Sequence, residues 1–390
     1  MKILLTTDWY APAVNGVVTS VLNLRRELER RGHEVRVLTL SRTARTEEKD
    51  AVTYLGSIPA GLVYPGARLR TALAGRYVRR LVAWRPDVVH SQCEFSTFSL
   101  ARRIAQEVGA PLIHTYHTVY EDYTHYFSPS VRLGRTAAAL LTRWVAAQTS
   151  CILAPTGKVR LLLEDYGVES PVFVVPSGID LRRFRREPDP WRTAVLKAGM
   201  GIPQENLVLV SVGRLAAEKN LEELLDLRAR LDGGVTLLIV GDGPNRARLE
   251  ERAAELGLAA PAVVFAGMVP PEQVGDWYQL GDLFVSASTS ETQGLTYAEA
   301  LAAGVPALCR ADPCLGGVIR DGENGWQYRD TADFMRRLEE FRSHPQWRER
   351  MKAAARRSAE SFSAEEFARR AEEIYRGQLE RMNRREEVSA

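Results

Sequence analysis

The chain has 390 residues, 45% hydrophobic and 26% charged, with a formal net charge of +3. That length exceeds what one core supports and predicts two domains, while the composition is that of a soluble globular protein and the small charge excludes a dedicated nucleic-acid binder. No run approaches the ~20 apolar residues that span a bilayer, and Met1-Lys2-Ile3-Leu4-Leu5 is interrupted by Thr6, Thr7 and Asp8 too soon for a signal peptide, so a cytosolic location is expected.

Short apolar runs alternate with helical patterns along nearly the whole chain. Ile3-Leu4-Leu5 predicts a buried strand, Asn15-Gly16 opens a helix through Val17, Val21, Leu24 and Leu28, and Val35 to Leu40 returns as a strand. The unit recurs at Asp87 to His90 and at Pro111 to His114. Strands this apolar need both faces covered, which predicts a parallel sheet with right-handed crossovers. After Val175-Pro176-Ser177-Gly178-Ile179-Asp180, the stretch Arg182 to Pro190 lacks a hydrophobic period and is expected to be a linker or loop. Strands are then expected at Leu207 to Val212, Val235 to Val240, Ala262 to Phe265 and Asp282 to Ser286, with helices starting near Asn220, Pro244, Pro270 and Thr296. Two doubly wound halves predict a ligand in the cleft between them, at the carboxyl ends of the strands. A charged helix from Ala364 closes the chain.

Several motifs are negative. Cys93, Cys151, Cys309 and Cys314 lack zinc spacing and are expected to be buried thiols. Gly241-Asp242-Gly243 carries Arg246 where a dinucleotide fingerprint needs its third glycine, so it is read as a tight turn. No Walker motif and no Asp-x-Asp pair for a divalent ion are present.

The strongest constellation runs from Ser288 to Ala300. Glu291 precedes a helix start at Gly294-Leu295-Thr296, whose open amides suit phosphate oxygens, and Glu299 follows in the first turns. An acidic pair at helical spacing is by itself a surface feature. Here Gly213-Arg214 and Lys219, at the end of another strand, add two cations able to stabilise charge gathering on a leaving diphosphate. Glu299 then suits ribose hydroxyls and Glu291 a polyol. In the first half, His117 follows a strand among Tyr116, Tyr120 and Tyr123, and the Gly16 turn allows close backbone approach.

These residues resemble retaining glycosyltransferase family four. The likeness also takes in Thr7-Asp8-Trp9-Tyr10 and Asn15-Gly16-Val17, and covers essentially the whole chain. His114-Thr115-Tyr116-His117-Thr118 with Glu121-Asp122-Tyr123, the Ser290 to Thr296 loop and Cys314 to Ile319 resemble its bacterial 1,2-diacylglycerol 3-glucosyltransferases. The resemblance implies the α/β GT-B fold, with an acceptor domain over 1–178, a donor domain over 179–363, and a helix about 364–390 crossing back onto the first. It implies donor contacts from Gly16, Arg214, Lys219, Val269, Glu291, Gly294, Leu295, Thr296 and Glu299, with His117 and Glu291 beside the reacting sugar. A UDP-glucose donor as co-substrate, no metal cofactor, no nucleic acid, and a glycolipid acceptor such as diacylglycerol are expected. Acceptors of the phosphoinositol, soluble sugar or polysaccharide kind, and a nucleotide-sugar-binding regulator without turnover, are the alternatives.

Six arginines and no acid lie between Arg68 and Arg85, among them Arg76, Arg79 and Arg80, and three more between Arg132 and Arg143. These stretches are either solvated amphipathic helices or, with Tyr120 and Tyr123, a surface meeting lipid acceptor and anionic headgroups. The resemblance favours the second and a peripheral place on the inner face of the cell membrane.

Overall fold

The structure is a computed structural model and describes residues 1–13, 15–60, 68–71, 75–119, 131–186 and 189–389. It comprises two units, Met1–Gly178 with Ala364–Ala390, and Ile179–Ser363.

The first unit opens with β1 (Lys2–Thr6), α1 (Gly16–Arg30) and β2 (Glu34–Leu40) as a parallel βαβ step. Asn15 starts α1 by accepting a hydrogen bond from the Val18 amide at 2.9 Å. Next come β3 (Glu47–Lys49), β4 (Val52–Leu55), a hairpin of β5 (Ser57–Pro59) and β6 (Arg68–Arg70), α2 (Gly75–Trp84) and β7 (Val88–Ser91). The unit continues with α3 (Phe98–Val108), β8 (Leu112–Thr115), α4 (Val131–Ala147), β9 (Cys151–Ala154), α5 (Gly157–Asp165) and β10 (Val172–Val174). One eight-stranded sheet has the order β10-β9-β8-β7-β1-β2-β4-β3, parallel except for β3. Alternation along β1 builds two cores: Ile3 and Leu5 pack with Leu24 and Leu28 of α1, and Leu4 with Leu81 and Ile104 on the other face.

The second unit contains α6 (Pro190–Gly199), β11 (Leu207–Val212), α7 (Leu221–Arg228), β12 (Val235–Val240), α8 (Arg246–Glu255), β13 (Val263–Gly267) and α9 (Val274–Tyr278). It continues with β14 (Leu283–Ser286), α10 (Leu295–Ala302), β15 (Ala307–Arg310), β16 (Gly325–Tyr328), α11 (Thr331–Ser343) and α12 (Pro345–Ser358). Its sheet, β13-β12-β11-β14-β15-β16, is parallel throughout. The stretch Arg182 to Pro190, expected to be a linker or loop, is corrected at Phe184: with Leu181 and Tyr278 it is buried in this unit's core. Leu181 and Phe184 bracket a single 3₁₀ turn, Leu181–Arg183, whose three-residue period puts both on one face although no longer pattern surrounds them.

The last helix, α13 (Ala364–Ser389), packs on the first unit, burying Phe367, Ala371 and Tyr375 against the α1 core. Glu372 ties α13 to the end of α1, accepting from Arg31 Nε at 2.6 Å, while Arg376 of the same helix donates to it at 2.7 Å. All four cysteines are buried.

Candidate active site

In the second unit the strand order turns at β11 and β14, and the crevice at the carboxyl ends of two such neighbours is where ligands bind in open parallel sheets. Arg214 and Lys219 follow β11; Glu291 and Gly294 follow β14. Hydrogen bonds hold the two loops together: Ser290 Oγ donates to the Glu218 carbonyl at 3.0 Å and Asn220 Nδ2 to the Ala287 carbonyl at 3.4 Å. Lys219 Nζ consequently donates to Glu291 Oε1 at 2.6 Å, with side chains 30% and 12% exposed. Arg214 donates to the buried carboxylate of Glu218. Burial alone would raise the Glu218 pKa, but its own backbone amide and the Arg214 guanidinium hold it below the ordinary value.

Gly241 and Gly243 acquire a physical explanation here. A Cβ on Gly241 would lie 1.9 Å from the Gly213 carbonyl oxygen, and one on Gly243 2.4 Å from that of Leu215. The two loops touch backbone to backbone, with the Leu215 amide donating to the Asp242 carbonyl at 3.0 Å. These glycines thus seat the loop that carries Arg214.

Gly294 precedes α10 at φ 71°, where a Cβ would fall 2.3 Å from the ring of buried Tyr297. The N-cap residue is Gly294, which has no side chain to cap the helix, and the amides of Leu295 and Thr296 belong to a first turn suited to anionic oxygens. Glu299 lies in the second turn of α10, within the first turns as expected, and its Oε2 accepts from Tyr278 O–H at 2.8 Å. Burial raises the Glu299 pKa, and the Tyr278 bond opposes the rise. Val269 is half-buried against the core beside exposed Met268.

In the first unit the order turns at β1 and β7. Gly16 is the exposed first residue of α1. His117, two residues past β8, has Nε2 2.8 Å from Gln92 Oε1. Burial pushes its pKa down to about 4, against the upward pull of the Glu94 charge. Fully buried His114 has Nε2 3.2 Å from Glu94 Oε1, and Asp8 accepts the Ser96 and Thr97 amides at 3.0 and 2.8 Å. Gln92, Glu94, Glu218 and Tyr278 were not singled out from sequence. Only Glu218, four residues after Arg214 and next to Lys219, carried a local signal there. Tyr120 and Tyr123 lie outside the described residues.

The two arginine-rich stretches differ. Arg68 belongs to strand β6, not to a helix, and its Nε donates to Ser57 Oγ at 2.6 Å. Arg76, Arg79 and Arg80 are exposed on α2, but that helix turns Val78, Leu81 and Trp84 into the core, and Arg80 pairs with Glu48 at 2.7 Å. The expectation that apolar positions of this stretch meet lipid therefore fails for α2. On α4 the reverse holds: Leu133, Leu140 and Trp144 are 67%, 60% and 46% exposed, alongside exposed Arg132 and Arg143. Among the described residues no helix is long and apolar enough to cross a membrane, and no group of three or more His, Cys, Asp or Glu could hold a metal ion.

Comparison with known proteins follows the same division. Residues 14–183 match the family model for Glycosyltransferase Family 4, and residues 194–358 that for Glycosyl transferases group 1. An alpha-monoglucosyldiacylglycerol synthase of Streptococcus pneumoniae is 35% identical over 386 residues, covering 96% of this chain and 85% of the relative. One of Acholeplasma laidlawii is 31% identical over 398 residues, covering 99% of each. Among solved structures, Anabaena HepE in complex with UDP and glucose aligns with a TM-score of 0.74 at 17% identity, over 97% of this chain and 100% of that one. The chain belongs to glycosyltransferase family 4, and its two Rossmann-like α/β domains are those of the GT-B fold.

Proposed function

We propose that this glycosyltransferase moves glucose from UDP-glucose to diacylglycerol with retention of configuration, without a metal ion, while held peripherally on the inner face of the cell membrane. The observation that carries the reading is the Lys219–Glu291 pair beside the glycine-led start of α10, at the turning point of the second sheet. The acceptor comes from the alpha-monoglucosyldiacylglycerol synthases that the chain resembles over nearly its full length.

In this reading the donor diphosphate lies against the amides of Leu295 and Thr296, with Arg214 and Lys219 alongside. Glu291 takes hexose hydroxyls, Glu299 the ribose, and the Val269 backbone the base. As the bond from C1 to the diphosphate breaks, negative charge gathers on the leaving oxygen, and the fixed cations and amides favour that state over the ground state. The acceptor hydroxyl attacks C1 from the face the diphosphate leaves, and a phosphate oxygen takes the hydroxyl proton. The products are glycoside and nucleoside diphosphate, and no protein nucleophile is needed. His117 offers the reacting sugar a neutral imidazole, and Gly16 brings backbone close to the donor. The exposed apolar face of α4, flanked by Arg132 and Arg143, supports the membrane assignment.

The test is a screen of radiolabelled nucleotide sugars against diacylglycerol vesicles, phosphoinositols and soluble sugars, with excess chelator in parallel. Glucosyl-diacylglycerol formed from UDP-glucose in chelator is the expected product. Transfer only to another acceptor, or activity abolished by chelator and restored by magnesium, overturns the corresponding part of the reading.

A further inference from the structure

Three side-chain contacts tie the segment leaving β7 to the segment at and beyond the end of β8. His90 Nε2 lies 2.7 Å from Thr115 Oγ1, Gln92 Oε1 2.8 Å from His117 Nε2, and Glu94 Oε1 3.2 Å from His114 Nε2. His90 also meets α13, with Nδ1 2.6 Å from the Tyr375 hydroxyl. The middle contact differs from the other two because its histidine is only partly buried, whereas His90 and His114 are fully so.

Gln92 is 1% exposed, and its Nε2 has no hydrogen-bond partner among the described residues. Burying an amide donor unpaired is costly, so a purely structural role would be better served by an apolar side chain of the same shape. What Gln92 does make is the bond to His117. With its carbonyl oxygen turned to the ring, Gln92 only accepts, which places the His117 proton on Nε2 and leaves the neutral ring its lone pair on Nδ1. A carboxylate at position 92 would place the same oxygen there with a charge, and would draw a second proton onto the ring.

We propose that Gln92 is a positioning residue for sugar transfer: it fixes the His117 proton on Nε2 and so presents Nδ1 as a hydrogen-bond acceptor to a sugar hydroxyl. The inference rests on the reading of His117 as part of the transfer site. Glu94 and His114, the charged and titratable groups that face His117, act in opposite directions on its protonation, and burial keeps the ring neutral. The uncharged amide of Gln92 leaves that state undisturbed.

The test uses the full chain with imidazole ¹⁵N labelling, His117→Asn identifying the His117 signals among those of the six histidines. In the natural protein the ring should show the Nε2–H tautomer. Gln92→Met, similar in shape, should give mixed tautomers and lower kcat on the order of a hundredfold, with KM for the donor little changed. Gln92→Glu should raise the His117 titration midpoint by about 1 to 3 pH units and carry the acid limb of the rate profile with it. Thermal unfolding and nucleotide binding verify that each variant is folded. A Nδ1–H tautomer in the natural protein, or a His117 titration unmoved by Gln92→Glu, overturns the positioning role. A changed tautomer with unchanged kcat in both variants overturns instead the placing of His117 in the transfer site.

Discussion

Glu291→Gln removes one charge from the residue that joins the two donor loops while keeping its shape. In the folded protein the change weakens the 2.6 Å bond from Lys219, whose side chain keeps 30% exposure and so retains water as a partner. Exposed and half-exposed ion pairs contribute about 0–1 kcal/mol, so the melting temperature should fall by no more than about 2–4 °C. Catalysis should suffer far more. If Glu291 holds hexose hydroxyls as the C1 bond breaks, loss of one charged hydrogen bond in a preorganised site raises the barrier by roughly 3 kcal/mol, about a hundredfold in rate. Affinity for UDP should hold or rise, because Lys219 loses its charged competitor for the diphosphate. Lys219→Met should do the opposite, weakening UDP binding by leaving Glu291 to face the phosphates unneutralised. The assay is steady-state transfer from UDP-glucose to diacylglycerol in vesicles, with UDP binding and thermal melts on the same preparations. Near wild-type kcat in Glu291→Gln, or a loss of rate wholly accounted for by lost UDP affinity, would refute the assignment.

Other expected outcomes follow from local geometry. Gly294→Ala forces a side chain into φ 71° and 2.3 Å from the Tyr297 ring, so it should lower stability by about 1–2 kcal/mol from the backbone alone and weaken nucleotide binding; an unchanged melt refutes this. Burial would raise the Glu372 pKa, but bonds from Arg31 and Arg376, with His33 Nε2 3.3 Å away, hold it at about 2, below its ordinary 4.5. A depressed carboxyl stabilises fully above 4.5 and loses its effect as pH falls toward 2, so calorimetry should show declining stability of the first unit in that window, and Glu372→Gln should flatten the decline. On α4, replacing Leu133, Leu140 and Trp144 by Ser should reduce co-sedimentation with anionic vesicles more than reversing Arg76, Arg79 and Arg80 to Glu, since the apolar residues of α2 are already inside; an order reversed in the salt series would refute that placement.

Much of this architecture was legible because its signals are local. Ile3-Leu4-Leu5 and Leu207 to Val212 are nearly all apolar and bounded by turns, as strands covered on both faces must be. Arg214, Lys219 and Glu291 stood out as polar groups just after such strands, next to glycines. What escaped depends on contacts distant in sequence. Tyr278 reaches Glu299 from another helix, 21 residues away, and Gln92 meets His117 from 25 residues away. Phe184 reads as part of a loop in the sequence because the single turn before it, Leu181–Arg183, has no period to display. The two arginine-rich helices looked alike in composition, and only tertiary packing decides that α2 turns its apolar residues inward while α4 leaves Leu133, Leu140 and Trp144 in solvent.

The same distant contacts give the second unit a connected electrostatic design. Each cation expected to meet the donor diphosphate already meets an acid, Arg214 with Glu218 and Lys219 with Glu291. The two acids are not equivalent. Glu218 is anchored by its own backbone amide and lies in the loop that precedes α7, where it pairs with Arg214. Glu291 belongs to the other loop, which in the proposed function also receives the hexose. In that proposal, sugar hydroxyls bonding to Glu291 would replace Lys219 as its partner, and the ammonium would turn toward the diphosphate. The proposal thereby links recognition of sugar and of phosphate through one 2.6 Å contact. That linkage is why Glu291→Gln is expected to separate the two quantities, lowering turnover while leaving or improving the affinity for UDP without its sugar.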